Sequence, residues 1–310
     1  MTSRGESSRS PARTGPGTLP AGRETRILSG AAIAAEVRER VVADVAAFHA
    51  REGFAPSLAV LLLGTDAPSA VYLEQILRTC GRVGIGGRRV EIPGEVSDAS
   101  VRAALRELNA DPRVAGVIVQ QPLPDAVPLR AVIDTLDPAK DVDGICPQNA
   151  GLVSLGHPGF VSATAQAAVE MLTRSGYELD GLHAVVIGRS NIVGKPVALL
   201  LLREHCTVTV CHTHTRDLGA MTRQADVLVV AAGSPGLVTG AMVRPGAVVV
   251  DVGINVVDGR IVGDVDAATV DGVAAARTPV PGGVGPVTNA ILMEHVIEAA
   301  RRQTAGTRRG

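Results

Sequence analysis

The feature that most restricts the fold of this chain is the stretch Val185-Val186-Ile187-Gly188-Arg189-Ser190-Asn191-Ile192-Val193-Gly194-Lys195-Pro196. An apolar, β-branched run stops at a glycine, a tight loop follows, and a second glycine precedes the long apolar segment from Pro196 to Arg203. A parallel strand delivering a helix N-terminus reads this way, and the N–H groups and positive dipole end of such a helix suit an anionic ligand. The spelling departs from the dinucleotide fingerprint G-x-G-x-x-G. Ser190 takes the middle glycine position, Val193 the third, and Gly194 comes one residue later. A mononucleotide P-loop has four residues between its glycines and Ser or Thr after the lysine. This loop has five and Pro196. The dinucleotide reading is therefore preferred to a P-loop or an uninvolved α/β turn.

The rest of the chain repeats the theme. Ile33, Val37, Val41 and Val45 recur every four residues and predict a helix over about 31–51, with Ser29 placed to cap it. Strands are expected at 58–63, 89–92 and 114–120, with helices at 69–83, 97–108 and 129–134. A second series has a helix at 165–175, a strand at 184–187, a helix at 196–204, and strands at 208–211, 227–231 and 247–252. A last helix is expected over about 288–301. The fold class is α/β: two α/β domains with parallel sheets, the second a Rossmann-type dinucleotide-binding domain. The expected division is a disordered tail at 1–26, a first domain at 27–147 joined by the returning helix at 288–305, and the dinucleotide domain at 148–287. The tail is rich in Ser, Arg, Gly, Pro and Thr without apolar period. Its arginines resemble a transit peptide, but Pro11, Pro16 and Pro20 oppose the amphipathic helix such a peptide needs, and an early start codon is an equal account. Lysine occurs only at Lys140 and Lys195, a bias expected of a GC-rich bacterial genome.

Composition excludes several classes. A formal net charge of -1 gives no bulk attraction to nucleic acid or membrane, and no apolar run reaches the roughly 18 residues that span a bilayer. Cys80, Cys146, Cys206 and Cys211 form no CxxC pair, which suits a reducing cytoplasm. Cys206, Cys211, His212 and His214 come nearest to a metal cluster. A strand would turn Cys211 and His212 to opposite faces, so no metal is expected.

In a dinucleotide fold, an acid about 20 residues beyond the first glycine would hold the ribose 2′-hydroxyl of NAD. Here Cys211-His212-Thr213-His214-Thr215-Arg216 offers no acid until Asp217. Together with Arg189 these donors favour a 2′-phosphate, hence NADP, although a solvated strand end also accounts for His214 and Arg216. Ala231-Ala232-Gly233-Ser234-Pro235-Gly236 and Asp251-Val252-Gly253-Ile254-Asn255 are strand ends that let a ligand approach the backbone. The loop Thr278-Pro279-Val280-Pro281-Gly282-Gly283-Val284-Gly285-Pro286-Val287-Thr288 is more specific. So many Pro and Gly residues fix an irregular backbone that structural economy alone rarely requires.

Five ordered segments, Val119 to Pro124, Asp141 to Gly144, Gly188 to Pro196, Asp251 to Asn255 and Thr278 to Pro286, closely resemble the methylenetetrahydrofolate dehydrogenase/cyclohydrolase family over about residues 27–302. The resemblance implies a homodimer that oxidises 5,10-methylenetetrahydrofolate with NADP and hydrolyses the methenyl product to 10-formyltetrahydrofolate, with the folate between the two domains. It implies that Gly188, Arg189, Ser190, Thr213 and Ile254 contact the cofactor. It likewise makes Asp143 hold the paired N–H donors of the pterin edge, Tyr72 border the folate, Gln120 orient the catalytic group, and Pro281, Gly282 and Gly283 line the pocket. Two departures qualify this. Four residues after the tyrosine, where the family has a lysine that activates water, this chain has Ile76. Where the family reads Pro-Cys-Thr-Pro, it has Ser162-Ala163-Thr164-Ala165. Hydride loss needs chiefly alignment, whereas hydrolysis needs a proton manager. The expectation is an NADP-dependent dehydrogenase with weak or absent cyclohydrolase activity. The open alternatives are a full bifunctional enzyme with Lys140 as substitute, a catalytically silent NADP- or folate-binding paralogue, and a dehydrogenase of a non-folate substrate.

Overall fold

The computed structural model describes residues 24–63, 67–92, 95–120 and 123–307, leaving aside the side chains of residues 67–72 and 307. Residues 1–23 of the expected tail lie outside the described residues. The chain runs β1 (Arg26–Ile27), α1 (Ala31–Glu52), β2 (Ser57–Leu62), α2 (Ala67–Val83), β3 (Gly86–Glu91), α3 (Asp98–Ala110), β4 (Val114–Val119), α4 (Leu129–Ile133) and α5 (Pro147–Ser154). It continues through α6 (Ala163–Thr173), β5 (His183–Ile187), α7 (Gly194–Arg203), β6 (Thr207–Cys211), α8 (Leu218–Thr222), β7 (Val227–Val230) and β8 (Val248–Asp251). Then follow β9 (Asn255–Val257), β10 (Arg260–Val262), α9 (Ala267–Val270), β11 (Ala276–Arg277) and the long α10 (Val284–Thr307).

Two parallel sheets result. One has the order β3-β2-β4, the other β1-β11-β8-β7-β5-β6, and β9 with β10 forms a separate antiparallel hairpin. The inner strands β2, β4, β5, β7 and β8 are buried on both faces, as their apolar sequences require, while the edge strands β1, β3 and β6 are partly exposed. In β2, Leu58, Val60 and Leu62 enter the central core while Ala59 and Leu61 enter the core beneath α3. In β5, Ala184 and Val186 enter the central core while Val185 and Ile187 pack on the outer face. The central core therefore joins the two sheets through α1, α6 and α10. The C-terminal ends of the parallel strands carry the loops read as functional, the usual ligand side of such sheets.

Three expectations are corrected. Arg26, assigned to the tail, forms β1 beside β11, and Leu28 N–H donates to Arg277 O at 2.8 Å. Two residues cannot show a period, so the sequence carried no signal for this strand. The final helix starts at Val284 rather than near 288, because Pro286 falls in its first turn, where no intrahelical N–H bond is lost. The β9–β10 hairpin and α5 were not anticipated, although Asp258-Gly259, both with positive φ, is a hairpin-turn pair and Pro147 stands at the start of α5.

Candidate substrate and cofactor cleft

The glycine turn after β5 is held by close backbone approach. Gly188 has φ of 124°, and a Cβ there would run into the carbonyl of Ala231 after β7; one on Gly194 would run into the carbonyl of Gly188. Ser190 stands where the middle glycine was expected. Its Oγ accepts the N–H of Val193 at 3.0 Å and of Gly194 at 3.3 Å, and its carbonyl accepts Lys195 N–H at 3.1 Å. Ser190 thus caps α7, and its hydroxyl keeps its own proton for a further partner. Lys195 turns to Asn191 Oδ1 at 2.7 Å.

Arg189 is exposed at the turn and lies near enough to His212 to depress the imidazole, whose pKa is lowered by desolvation first, then by Arg189 and His214. His212 N–H donates to Thr215 Oγ1 at 2.8 Å, and His212 Nδ1 accepts His214 N–H at 3.1 Å, which curls the end of β6 back on itself. Thr213 is exposed at the crest of this curl. Cys206 precedes β6 and Cys211 ends it, so the two thiols sit roughly 16 Å apart along a strand, and the cluster weighed for a metal is not assembled.

Two buried carboxylates build the neighbouring loops; Asp251 opened a motif in the sequence without a role of its own, and Asp264 was not singled out. Asp264, with 0% exposure, accepts the N–H groups of Ala232 at 2.7 Å, Gly233 at 2.8 Å and Ser234 at 2.8 Å, and Asn255 Nδ2 at 2.8 Å. Asp251 accepts the N–H groups of Gly253 at 2.9 Å, Asp264 at 3.0 Å and Val265 at 3.0 Å. Burial pushes Asp251 up to about 6; those N–H groups work against the rise and the Asp264 charge adds to it. Thr278 Oγ1 accepts the Asp251 N–H at 2.8 Å, linking this pair to the Pro-Gly loop. Ile254 is held out between these anchors with 68% exposure. An acid following a strand-end glycine loop was the one available signal for Asp264.

The Pro-Gly loop is pinned to the start of α1. Gly30 N–H donates to Gly282 O at 2.9 Å, Gly283 N–H to Pro279 O at 2.9 Å, and a Cβ on Gly30 would strike the Gly283 carbonyl. Gly282 has φ of 105°, Pro281 follows a cis peptide bond and is exposed, and Gly283 is buried.

On the first sheet, Gln120 follows β4. Its N–H donates to Leu61 O at 3.0 Å, while its buried Nε2 has no hydrogen-bond partner among the described residues. Val142 lies against Gly116, whose missing Cβ makes the room, and Val117 N–H donates to Lys140 O at 2.8 Å. Asp141, fully buried, accepts Ile145 N–H, Cys146 N–H and Asn149 Nδ2 at 3.0, 2.8 and 2.9 Å, which fixes the tight turn of the motif. Asp143 then reaches the first turn of α6 and accepts the Ala163 N–H. Burial and the Asp141 charge push Asp143 up to about 7, against the lowering by that N–H.

Tyr72 lies on α2, but its side chain is outside the described residues. Ile76, one turn on, has 0% exposure and packs in the central core with Leu73 and Cys80. The Lys140 amine is turned elsewhere. Its Nζ donates to Leu108 O at 2.9 Å and Asp111 O at 2.7 Å, at the C-terminal end of α3, where β4 begins rather than where it delivers Gln120. Ser162 caps nothing with its side chain, and its buried Oγ lacks a partner.

No helix among the described residues is long and apolar enough to cross a membrane. Comparison with known proteins accounts for both sheets. Residues 28–143 match the model of the tetrahydrofolate dehydrogenase/cyclohydrolase catalytic domain, and residues 162–304 that of the NAD(P)-binding domain of the same family. The bifunctional protein FolD of Roseiflexus sp. (strain RS-1) is 48% identical over 280 residues, covering 90% of this chain and 97% of that protein. The bifunctional protein FolD of Bordetella petrii is 47% identical, covering 93% and 98%. The crystal structure of the bifunctional FolD enzyme of Campylobacter jejuni superposes with a TM-score of 0.86 at 38% identity, over 90% of this chain and 99% of that one. The Trypanosoma brucei FolD complexed with NADP and an inhibitor gives 0.86 at 34%, over 91% and 99%. With both domains matched along nearly their whole lengths, the chain belongs to the tetrahydrofolate dehydrogenase/cyclohydrolase family.

Proposed function

We propose that this protein is an NADP-dependent methylenetetrahydrofolate dehydrogenase in which hydrolysis of the methenyl product is weak or absent. The observation that carries the second half is Ile76, an apolar side chain closed into the core at the position where the family resemblance calls for a lysine. The first domain has a single lysine, Lys140, and its amine is spent on two carbonyls at the far end of β4. Losing the group that manages a proton costs about 10² to 10⁴ in rate.

The residues fit NADP. Glycines at 188 and 194 bring backbone close to a pyrophosphate, and Arg189 with the curled His212–Thr215 segment supplies donors without an acid. When bound, NADP supplies the hydride acceptor. Asp143 takes the paired N–H donors of the pterin as a carboxylate, so it works in its ionised form. Gln120 offers its Nε2, unpartnered among the described residues, to the substrate from the end of β4, and Tyr72 is assigned to the folate on the family resemblance alone. Pro281, Gly282 and Gly283 close the cleft from above, with Thr213 and Ile254 beside the cofactor. Alignment is most of what hydride loss requires, because the folate nitrogens stabilise the cation left behind.

The four free cysteines are all buried, in keeping with a cytoplasmic enzyme. A homodimer belongs to the same reading: Val256, Val257 and Ile261 are apolar and exposed on the β9–β10 hairpin, a surface that a second copy would cover.

The second reading, a fully bifunctional enzyme, is favoured by the names of the relatives, which are bifunctional proteins. An assay that separates the two steps decides between them. NADP reduction with methylenetetrahydrofolate is expected, with the methenyl absorbance persisting in a buffer that suppresses spontaneous hydrolysis. Its rapid enzymatic decay would overturn the dehydrogenase-only reading, and absence of NADP reduction would overturn the enzyme altogether.

A further inference from the structure

His295, on α10, is buried between two oxygen atoms. Its Nδ1 lies 2.9 Å from the carbonyl oxygen of Val142, and its Nε2 lies 2.8 Å from Oε1 of Gln166 on α6. Gln166 Nε2 in turn donates to Glu170 Oε1 at 2.8 Å, and Glu170 Oε2 accepts Arg174 Nε at 2.7 Å. Arg174 also reaches Glu36 on α1 at 2.9 Å.

Donors and acceptors determine the protonation this array needs. A carbonyl only accepts, so Nδ1 carries a hydrogen. The Gln166 amide must keep its oxygen toward His295, because turning it would set that oxygen against Glu170 Oε1, while Arg174 Nε donates to the other carboxyl oxygen. Nε2 must therefore donate as well. The array is complete only with a doubly protonated ring. Burial works against that charge, while the Val142 carbonyl and the Glu170 carboxylate support it; Arg302, stacked over the Phe160 ring beside His295, opposes it, and Glu298 favours it. The balance falls below the ordinary imidazole value. A neutral ring leaves two acceptors facing each other, and the Gln166 contact opens.

The array lies against the expected substrate carboxylate. Val142 immediately precedes Asp143, and Asp143 accepts the N–H of Ala163, three residues before Gln166 on α6. Helix α6 also packs on α7, which follows the cofactor turn. The Asp143 segment is thus tied to α6 at two points, one through Asp143 and one through His295.

We propose that His295 is a positioning residue whose ring, donating to Val142 and Gln166 together, holds the Asp143 segment in register with α6 and releases Gln166 when it loses a proton. The proposal rests on the reading that Asp143 binds the substrate.

The test uses the full chain with ¹⁵N-labelled histidine, from about pH 5 to about pH 8. His295 signals are identified by their loss in His295→Asn, and KM is measured separately for methylenetetrahydrofolate and NADP in wild type, His295→Asn and Gln166→Leu. The ring is expected to pass from two protonated nitrogens to one below the ordinary histidine value. Relative to His295→Asn, which shares the fall in folate KM that Asp143 ionisation brings, the wild-type folate KM should rise about threefold to tenfold over that step, the worth of one ordinary hydrogen bond, with kcat and the NADP KM nearly constant. Asparagine can still donate to Val142 but cannot titrate, so His295→Asn should lack the step, as should Gln166→Leu. A ring singly protonated throughout, or a variant whose folate KM profile superimposes on wild type, overturns the proposal. If Gln166→Leu fails to fold, His295→Asn and the ring titration decide alone. A folate KM unchanged in Asp143→Asn would instead remove the reading of Asp143 and leave the ring titration standing.

Discussion

The carboxylate of Asp143 accepts the backbone N–H of Ala163, so the acid read as the pterin anchor is fastened to the first turn of the helix leading into the cofactor domain. Burial first, then Asp141, raises its pKa from 3.8 to about 7, so the folded protein holds the proton more tightly than the unfolded chain. The stability this contributes is complete below pH 3.8 and is lost as pH rises to about 7. Substrate affinity runs the other way, because only the anion can take two N–H donors. The kcat/KM for methylenetetrahydrofolate should rise through about pH 7. In Asp143→Asn it should fall by at least 10² and lose the inflection, while the melting temperature of the variant gains on wild type between pH 5 and pH 8. A wild-type profile flat across pH 7 would remove this role.

Gly188 and Ala231 make the second prediction. A Cβ at Gly188 meets the Ala231 carbonyl, backbone just after β7 whose N–H is itself bonded to Ile187 O, and φ of 124° suits glycine alone. Gly188→Ala should cost about 1–3 kcal/mol from conformation alone, with the clash added, and should weaken NADP binding more than folate binding. Calorimetric binding of each ligand to the purified variant checks the order.

Much of this cleft could be read from the chain, and what could not has physical reasons. The apolar strands and the glycine turn were legible because burial on both faces and close backbone approach demand particular residues at Val185 to Ile187, Gly188 and Gly194. Ser190 was legible as a departure but not as the cap of α7, since capping depends on where Val193 and Gly194 point their N–H groups. Asp251 was legible as part of a motif but not as a loop anchor, and the roles of Asp264 and His295 depend on partners brought together only by the fold, for His295 one 153 residues away. Lys140 shows the opposite failure: beside a catalytic motif in sequence, it faces the other end of the strand.

Asp264 is the support on which the cofactor loops depend most. Its two oxygens accept three backbone N–H groups and the Asn255 amide inside the protein. Asp264→Ala leaves those donors without partners, and a loss of about 3–5 kcal/mol is expected. NADP should rescue the melting temperature of this variant less than that of wild type, since the Ala232–Ser234 loop is no longer preformed. Thermal unfolding with and without NADP measures both effects.

Lys140→Met separates neighbourhood from chemistry. The amine makes its two bonds to Leu108 and Asp111 carbonyls, which α3 leaves open at its end. Burial lowers its pKa while Asp137 and Asp111 hold it up, so it donates from a constrained place. Replacing it should cost about 1–3 kcal/mol and leave NADP reduction and methenyl hydrolysis per folded molecule within about twofold of wild type. A selective loss of hydrolysis would restore Lys140 as the substitute proton carrier.

Ile76 gives the most direct experiment on the second half-reaction. Its side chain fills core space beside Leu73 and Cys80 one turn after Tyr72. Ile76→Met keeps nearly the same volume, should cost under about 1.5 kcal/mol, and should add no hydrolysis. Ile76→Lys replaces packed apolar volume with a cation. Unless the amine reaches the cleft, burying it costs several kcal/mol, so the variant is expected to melt well below wild type. In the molecules that fold, the amine has escaped the core and can manage a proton at the substrate. Methenyl hydrolysis should then rise at least about tenfold over wild type and over Ile76→Met, with dehydrogenase kcat little changed. The rise should persist when NADP saturation holds the cleft assembled. Wild-type protein hydrolysing as fast as the lysine variant would mean that Ile76 removes nothing and that another group carries the proton.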